Sequence, residues 1–397
     1  MSLFSAAERL SSLDHSAIAF NEARCLHSKD RFSTCEQCFD ICPESAIAKG
    51  KPPTFNEKDC TTCMACLQIC PVGAFQGADS VKELLTCMTR LETHSVELIC
   101  QENSQKDSGV RENSTGVSFK GCLAGLGAGT YLTIFSLGVE EIILRMDACH
   151  KCKWNKLIPT INEQVILAKN ILSSWNKAEN LILSGKLDVS HDRPCWDAHN
   201  PPLSRRDLFR LATRQGKSAL AHAVENSNSD DHLPGRDRRR ILNSIRQFPI
   251  PEFDSELFNR DNFADLSISD TCTACGTCAR ACPTRAISFL IDKDESNFEL
   301  AFTPGLCVAC EMCVHVCLPS SITILDSIPF AQILDQEKKR ILHKGSLIKC
   351  DKCGSFFAPT SDVNLCPTCD QRRKNPFGSF VPPGLSSIAK KGEKNIC

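Results

Sequence analysis

The chain has 397 residues, a length that predicts two to four domains. Its 46 Lys and Arg nearly balance its 47 Asp and Glu, which disfavours a general nucleic-acid-binding protein with a basic surface. A hydrophobic content of 42% is enough for buried cores, and no stretch reaches the roughly 18 consecutive apolar residues of a membrane span. The first ten residues lack the features of a secretory signal, so we expect a cytoplasmic protein.

Cysteine is unusually frequent, with 27 residues, and most of them occur in spaced groups. In a reducing compartment such thiols are free to bind metal. Three groups have the spacing C-x2-C-x2-C-x3-C, namely Cys60, Cys63, Cys66 and Cys70; Cys272, Cys275, Cys278 and Cys282; and Cys307, Cys310, Cys313 and Cys317. This spacing is that of the bacterial ferredoxin run, in which three cysteines of one tight loop bind a [4Fe–4S] cluster. Backbone N–H groups of such a loop can also point at the cluster sulfurs.

The chain resembles the two-[4Fe–4S] ferredoxin family over about 20–78 and again over 265–326. In that family the fourth cysteine of each run ligates the other cluster of the pair. The resemblance therefore implies one cluster on Cys272, Cys275, Cys278 and Cys317, and another on Cys307, Cys310, Cys313 and Cys282. Between these two runs, the segment ISFLIDKDESNFELAF predicts a β-hairpin.

The N-terminal pair departs from the pattern, because its first run supplies only Cys35, Cys38 and Cys42. If Cys25 replaces the missing ligand, one cluster is held by Cys25, Cys35, Cys38 and Cys70, and the other by Cys60, Cys63, Cys66 and Cys42. The alternative is a three-iron cluster that does not use Cys25. We favour Cys25 as a ligand because the two runs continue alike, as CPESAI and CPVGAF.

The segment 79–190 alternates helix-like and strand-like stretches. The predicted helices are SVKELLTCMTRL, AGLGAGTYLTIFSLG and NEQVILAKNILSSWNK, and the predicted strands are SVELIC, GVSFKGC, EEIILRMDAC and ENLILSG. This alternation predicts a parallel α/β domain.

Four cysteines of this segment, Cys100, Cys122, Cys149 and Cys152, lie at or after the carboxyl ends of predicted strands. These ends share one edge of a parallel sheet, which is where ligands bind. We therefore expect a further iron–sulfur cluster there, either [4Fe–4S] or [2Fe–2S], with ordinary buried cysteines as the alternative. The layout resembles the small iron–sulfur subunit of viologen-reducing hydrogenases and heterodisulfide reductases.

A dinucleotide site is the competing interpretation of the same region, because Gly125, Gly127 and Gly129 follow one strand and Asp147 ends the next. Thr130 stands where the fingerprint needs its third glycine. Glycines that permit close packing of a helix on the sheet explain the pattern equally simply.

Residues 191–262 predict a polar helical connector with few core residues. Its LSRRDLFRLATRQ stretch, with Ser204 as N-cap, is similar to the S-R-R segment of the accessory ferredoxins of periplasmic nitrate reductase, which suggests partner docking. We interpret HDRPCWDAH, with His191, Cys195 and His199, as a loop. We interpret the basic residues Arg236, Arg238, Arg239 and Arg240 as a solvated helix start or a partner contact.

Near the C-terminus, Cys350, Cys353, Cys366 and Cys369 have the spacing C-x2-C-x12-C-x2-C of a tetrahedral four-sulfur site. The segment looks like a zinc ribbon, with rubredoxin-type iron as the alternative to zinc. The basic tail after Gln371 is expected to be disordered, and its Cys397 is not expected to be a ligand.

Together these patterns predict an α+β multidomain chain in which two dicluster ferredoxin-like modules flank a parallel α/β domain, followed by a zinc ribbon. The expected domains are a ferredoxin module at 1–78, the α/β domain at 79–190, the connector at 191–262, a second ferredoxin module at 263–330, and the ribbon with its tail at 331–397.

The expected function is iron–sulfur electron transfer: single electrons pass through four [4Fe–4S] clusters and a further cluster between redox protein partners in anaerobic respiration, without nucleic acid and without a membrane span. No catalytic residues stand out, so the sequence leaves open whether the chain is an electron carrier or part of an enzyme. The alternative is a subunit or an assembly and docking factor of a larger oxidoreductase, such as a hydrogenase, a heterodisulfide-reductase-like enzyme or a molybdenum enzyme.

Overall fold

The computed structural model describes residues 18–30, 33–77, 80–187, 193–199, 232–251, 256–258, 263–292, 294, 296–334, 339–359 and 364–375. The chain divides into two compact units. The first comprises Met1–Ser28 and Glu36–Phe253, and the second comprises Lys29–Cys35 and Asp254–Cys397. Within the described ranges, no helix has both the length and the apolar character that crossing a bilayer requires.

The first unit contains the strands β1 (Ala19–Phe20), β2 (Ile47–Ala48), β3 (Thr54–Phe55), β4 (Phe75–Gln76), β5 (Ser95–Cys100), β6 (Thr115–Phe119), β7 (Glu141–Arg145), β8 (Leu181–Ser184) and β9 (Cys195–Asp197). The helices that begin in this unit are α1 (Leu26–Lys29), α2 (Ala65–Ile69), α3 (Ser80–Met88), α4 (Ala128–Ser136), α5 (Ile158–Leu172) and α6 (Arg236–Ile245). β1 pairs with β4 and β2 with β3, each antiparallel, and both pairs belong to the ferredoxin-like part of the unit.

A parallel sheet with the strand order β8-β7-β5-β6-β9 forms the centre of the first unit. Its inner strands are apolar because both faces are covered, and Val96, Leu98 and Ile99 on β5 are fully buried. Helix α5 is buried along Ile161, Val165 and Ala168, the spacing of an amphipathic helix that covers a sheet. The predicted parallel α/β arrangement is confirmed.

Two predictions for the segment after residue 190 are wrong. Cys195–Asp197 is not a loop but the edge strand β9, paired in parallel with β6. Helix α6 is not a solvated helix start, because Arg238 and Arg240 are buried and Ile241 and Leu242 pack into the core. The connector therefore contributes core residues to the first unit. His191 and the S-R-R stretch lie outside the described residues.

The second unit contains the strands β10 (Glu256–Phe258), β11 (Asp265–Ile268), β12 (Ile287–Asp292), β13 (Asn297–Phe302), β14 (Ile322–Leu325), β15 (Ser327–Pro329), β16 (Arg340–Ser346), β17 (Ile348–Lys349) and β18 (Phe356–Phe357). Its helices are α7 (Thr277–Ala281), α8 (Met312–His315), α9 (Ala331–Leu334) and α10 (Pro367–Lys374). The predicted hairpin is confirmed as β12 and β13.

Strand β16 joins this hairpin as a third antiparallel strand, on the free side of β13. Arg340 at its start forms an ion pair with Asp265 and donates to the Leu266 carbonyl oxygen at 2.9 Å. Ala358, beside β18, donates its N–H to the Thr273 carbonyl oxygen at 3.0 Å. The segment that carries the last four clustered cysteines is therefore packed on the ferredoxin-like part of its unit.

Candidate iron–sulfur and metal centres

The three complete cysteine runs share one unusual backbone conformation. In each run the residues two and four positions after the first cysteine have a left-handed conformation: Thr62 and Met64, Ala274 and Gly276, and Ala309 and Glu311. Alternation of right- and left-handed residues turns successive N–H groups to one side and forms an anion-binding concavity. A positive φ is a genuine outlier for a β-branched residue such as Thr62, and such strain persists where the surroundings enforce it. The repeated conformation suits a loop that holds an anionic cluster.

A second repeated conformation follows the fourth cysteine of each run. The third residue after it is left-handed in four places, at Ser45, Gly73, Arg285 and Ser320. The next N–H donates to the cysteine sulfur in three of them: Ala46 to Cys42 at 3.2 Å, Ala74 to Cys70 at 3.2 Å, and Ser321 to Cys317 at 3.3 Å. Hydrogen bonds to the sulfur are one of the factors that set a cluster's reduction potential.

The second unit groups its cysteines across the two runs. One cavity is lined by Cys282 together with Cys307, Cys310 and Cys313. Burial, with a smaller contribution from the neighbouring thiols of Cys307 and Cys282, raises the pKa of the Cys310 thiol to about 12. On the other side, Cys317 lies close enough to Cys272 and Cys278 to raise the pKa of both thiols, in addition to the larger effect of burial. The structure thus brings together the interleaved sets that the ferredoxin resemblance implies, while their role as ligands stays a prediction.

The first unit brings Cys42 to the complete run. Burial, with smaller contributions from the neighbouring thiols of Cys42 and Cys60, raises the pKa of the Cys63 thiol to about 11. Burial also raises the pKa of Cys66, which has Cys63, Cys60 and Cys42 among its neighbours. Buried thiols such as these stay protonated at neutral pH on their own, and a bound metal deprotonates them.

The other N-terminal set is only partly assembled. Burial is the main cause that raises the pKa of Cys25, and the Cys70 thiol contributes, so these two cysteines are neighbours. Cys35 falls in Lys29–Cys35, which groups with the second unit. Its place beside Cys25, Cys38 and Cys70 therefore rests on the sequence spacing alone, and the choice between four ligands and a three-iron cluster stays open.

The four cysteines of the α/β segment lie at one edge of the parallel sheet. Cys100 is the last residue of β5, Cys122 follows β6, and Cys149 and Cys152 bracket a single 3-10 turn after β7. Burial, with smaller contributions from the thiols of Cys63, Cys100 and Cys149, raises the pKa of Cys122 to about 12. Burial likewise raises the pKa of Cys149 to about 12, with Cys100 and Cys152 contributing. Residues spread over 53 positions of the sequence thus form one group of thiols.

A buried ionic network supports this edge of the sheet. Glu97 on β5 is fully buried, and its Oε2 accepts from Arg145 Nη1 at 3.1 Å and from Arg193 Nη2 at 2.7 Å. Its Oε1 accepts the Val110 N–H at 2.7 Å, which holds the loop between β5 and β6. Burial opposes the charge of Asp147, but hydrogen bonds from Arg145 and Asn103 outweigh this and lower the pKa of the carboxyl. No sequence pattern singles out Glu97 or Arg193, because a lone acid in a strand and a lone arginine before a proline carry no motif.

The dinucleotide interpretation is not supported by the surroundings of its residues. The N-terminus of α4, where a phosphate would bind, already receives the carboxylate of Asp237, whose Oδ1 accepts the Gly129 N–H at 3.0 Å. A Cβ at Gly127 would overlap that carboxylate. Asp147, which would have to bind a ribose, is occupied by Arg145 and Asn103. Gly127 and Gly129 therefore serve the close approach of α6 to α4.

The cysteines outside these groups have ordinary surroundings. Cys87 is fully buried in α3, and Cys195 is half-buried in β9. His199, proposed alongside Cys195, pairs with Glu83 at 3.1 Å on an exposed surface. Cys397 lies outside the described residues.

Cys350, Cys353, Cys366 and Cys369 form a compact four-sulfur site. Their sulfur atoms all lie within 4.8 Å of one another, and those of Cys353 and Cys366 are 3.7 Å apart. A tetrahedral ion with metal–sulfur bonds of about 2.3 Å requires sulfurs about 3.8 Å apart. The Cys366 N–H donates to Cys350 Sγ at 3.3 Å and is the main cause that lowers the pKa of that thiol to about 6. The donor set therefore fits a single tetrahedral metal ion.

Comparison with known protein families locates two iron–sulfur domains in the chain. Residues 53–76 match the family described as the 4Fe-4S binding domain, and residues 271–320 match the 4Fe-4S dicluster domain. No curated protein and no solved structure matches the chain. The two matches contain the three complete cysteine runs, and they support an iron–sulfur protein with ferredoxin-type domains.

Proposed function

We propose that this protein transfers single electrons between redox protein partners through clusters held in its two ferredoxin modules. The observation that carries the proposal is the shared conformation of the three complete cysteine runs, in which left-handed residues at the same two positions form a concavity suited to an anionic group. A [4Fe–4S] cluster supplies one-electron redox chemistry, and the loops contribute thiolate ligands and hydrogen bonds that adjust its potential.

The proposed ligand sets follow the neighbour relations among the thiols. They are Cys60, Cys63, Cys66 and Cys42; Cys272, Cys275, Cys278 and Cys317; Cys307, Cys310, Cys313 and Cys282; and, with Cys35 and Cys38 included from the spacing alone, Cys25, Cys35, Cys38 and Cys70.

We also propose that Cys100, Cys122, Cys149 and Cys152 hold a further iron–sulfur cluster. Four half-buried thiols at one edge of a parallel sheet, three of them with a raised pKa, fit a metal centre better than four unrelated buried cysteines. The resemblance to the small iron–sulfur subunit of hydrogenases and heterodisulfide reductases supports the same assignment.

For the four-sulfur site of Cys350, Cys353, Cys366 and Cys369 we propose zinc, held as in a zinc ribbon. The sulfur spacing supports a single tetrahedral ion. Zinc has no redox chemistry, so this site would hold the C-terminal segment in place on the second unit. Rubredoxin-type iron would instead give the purified protein an additional iron without sulfide.

The partner assignment rests on resemblance. The S-R-R stretch and the α/β layout resemble proteins of anaerobic respiration, which supports an oxidoreductase as partner and also the alternative that the chain is a subunit or docking factor of such an enzyme. Electron exchange by the isolated chain favours the carrier, whereas a stable complex that forms without electron exchange favours the docking factor.

The test compares two cysteine variants purified without oxygen. Cys278→Ser removes a proposed ligand, and Cys195→Ser changes a cysteine that belongs to no proposed centre. We expect Cys278→Ser to lose the iron and sulfide of one cluster, and one of the one-electron waves in voltammetry, while Cys195→Ser matches the wild type. Full iron content in Cys278→Ser would contradict the proposal.

A further inference from the structure

The loop of the complete N-terminal run touches the turn that carries Cys122. A Cβ at Gly125 would lie 2.9 Å from the carbonyl oxygen of Cys63 and 3.0 Å from the Cβ of Met64. A Cβ at Gly121 would overlap the Met64 Cε atom. Glycine at position 125 therefore allows the two backbones to come this close, and glycine at position 121 leaves room for the Met64 side chain.

Met64 contributes to this contact from the loop of the complete N-terminal run. It is buried, has the left-handed conformation of the cluster loop, and directly follows Cys63. Its sulfur accepts from the N–H of Ser80 at 3.3 Å, while the Ser80 hydroxyl group donates to the Lys120 carbonyl oxygen. Lys120 and Gly121 lead directly into Cys122, so Ser80 ties the cluster loop to the cysteine turn.

A second contact joins the same two regions. Trp154, two residues after Cys152, donates its indole N–H to the Glu44 carboxylate at 2.7 Å, and Glu44 lies two residues after Cys42. Cys42 belongs to the same proposed ligand set as Cys63. The group at the sheet edge is therefore attached on two sides to the set of Cys42, Cys60, Cys63 and Cys66.

We propose that the sheet-edge centre exchanges electrons directly with the cluster of Cys42, Cys60, Cys63 and Cys66, across the contact that Met64, Gly121 and Gly125 create. One electron leaves one centre, which is oxidised, and reduces the other, with no bond made or broken. The inference rests on the proposed function, because it requires a cluster at Cys100, Cys122, Cys149 and Cys152. Met64, Gly121 and Gly125 are positioning residues, since they set the approach of the two thiol groups.

Electron paramagnetic resonance of the reduced full-length protein tests the proposal, together with iron counts. Two paramagnetic clusters in close contact split or broaden each other's signals. The paired clusters inside each ferredoxin module interact as well, so we expect Cys149→Ala to lose only the additional splitting that the sheet-edge centre causes, and Cys25→Ala, which disturbs the other N-terminal cluster, to keep that additional splitting. If Cys25→Ala loses the additional splitting while the sheet-edge centre keeps its iron, the sheet-edge centre interacts with the other N-terminal cluster. That result would overturn the proposal.

The contact itself is tested by Gly125→Ala, in which the new methyl group meets the Cys63 carbonyl. Gly185→Ala is the matched control, because its Cβ meets nothing within 4 Å. We expect Gly125→Ala to lose the additional splitting while it keeps its iron, and Gly185→Ala to retain both. If the splitting in Gly125→Ala equals that of the wild type, the contact at Gly125 does not set the approach of the two centres, and this part of the proposal is overturned.

The iron count separates the two levels of the argument. A wild-type protein with ferredoxin clusters but no sheet-edge cluster overturns that part of the proposed function, and the inference with it. A wild-type protein that has the sheet-edge cluster but shows the same splitting as Cys149→Ala overturns the inference alone. Should Gly125→Ala fail to fold, the ligand variants still decide between these outcomes.

Discussion

Replacing Glu97 by glutamine is expected to destabilise the first unit strongly while leaving its shape almost unchanged. The carboxylate is fully buried and binds both Arg145 and Arg193. With Asp147, which is paired to Arg145 at 2.8 Å, two negative groups balance two positive ones. The glutamine removes one negative charge and leaves a buried guanidinium without its counterion.

The expected size of the effect follows from this imbalance. Removing one partner from a buried ion pair costs about 3–5 kcal/mol, because the remaining charge stays out of water. The matched control is Asp40→Asn, which breaks the exposed pair between Asp40 and Lys49. An exposed pair contributes about 0–1 kcal/mol, so the control should unfold almost as the wild type does.

Urea unfolding in the absence of oxygen, followed by tryptophan fluorescence, measures the difference. All three tryptophans, Trp154, Trp175 and Trp196, belong to the first unit. The fluorescence transition therefore reports on the unit that contains Glu97. A loss of under about 1 kcal/mol in Glu97→Gln, equal to that of the control, would refute the reasoning from the buried charge.

Three further predictions concern a helix cap, a metal site and a hydrophobic core. Asp237→Ala removes the acceptor of the Gly129 N–H at the start of α4 and should lower the fluorescence-detected stability by about 1–2 kcal/mol; stability equal to the wild type would count against the cap. Cys353→Ser should lose one metal ion per chain by elemental analysis with its sulfide content unchanged, and an unaltered metal content would rule out the four-sulfur site. Phe302→Ala opens a cavity at a fully buried site and should lower the free energy of unfolding by about 3–5 kcal/mol. The cluster absorbance should then bleach at a lower urea concentration than in the wild type, and bleaching at the wild-type concentration would contradict the prediction.

Local sequence patterns predict the parts of the fold whose partners are close along the chain. The hairpin β12–β13 is two β-rich stretches around a short polar turn, and its pairing is entirely local. The parallel sheet follows from apolar strands that alternate with helices. The cysteine runs carry their own spacing, so the loops of the complete runs are identifiable from the amino-acid sequence alone.

The elements that were missed depend on distant partners. β9 has only three residues, and its position depends on its pairing with β6. Arg193, which lies just before β9, donates a hydrogen bond to Glu97, 96 positions away in the sequence. β16 has the pattern of a mixed polar segment because it is an edge strand, and only its pairing with β13 identifies it.

The candidate sites also depend on contacts between residues that are distant in the sequence. Asp237 meets Gly129 across 108 positions, which reverses the interpretation of the glycines from a phosphate loop to a helix contact. The contact between Met64 and the turn of Cys122 likewise has no sequence signal, because Gly121 and Gly125 fit many other roles. Sequence spacing identifies ligands within one loop, whereas contacts between loops require the fold.

The central claim is that this chain is a multi-cluster iron–sulfur electron-transfer protein, and a count of iron, acid-labile sulfide and zinc in the anaerobically purified chain tests it most directly. Four [4Fe–4S] clusters contribute about 16 iron and 16 sulfide, and the sheet-edge cluster raises the iron to about 18–20 per chain, with one zinc. About 16 iron would limit the clusters to the ferredoxin modules. An iron content far below about 16 in intact protein would contradict the account as a whole.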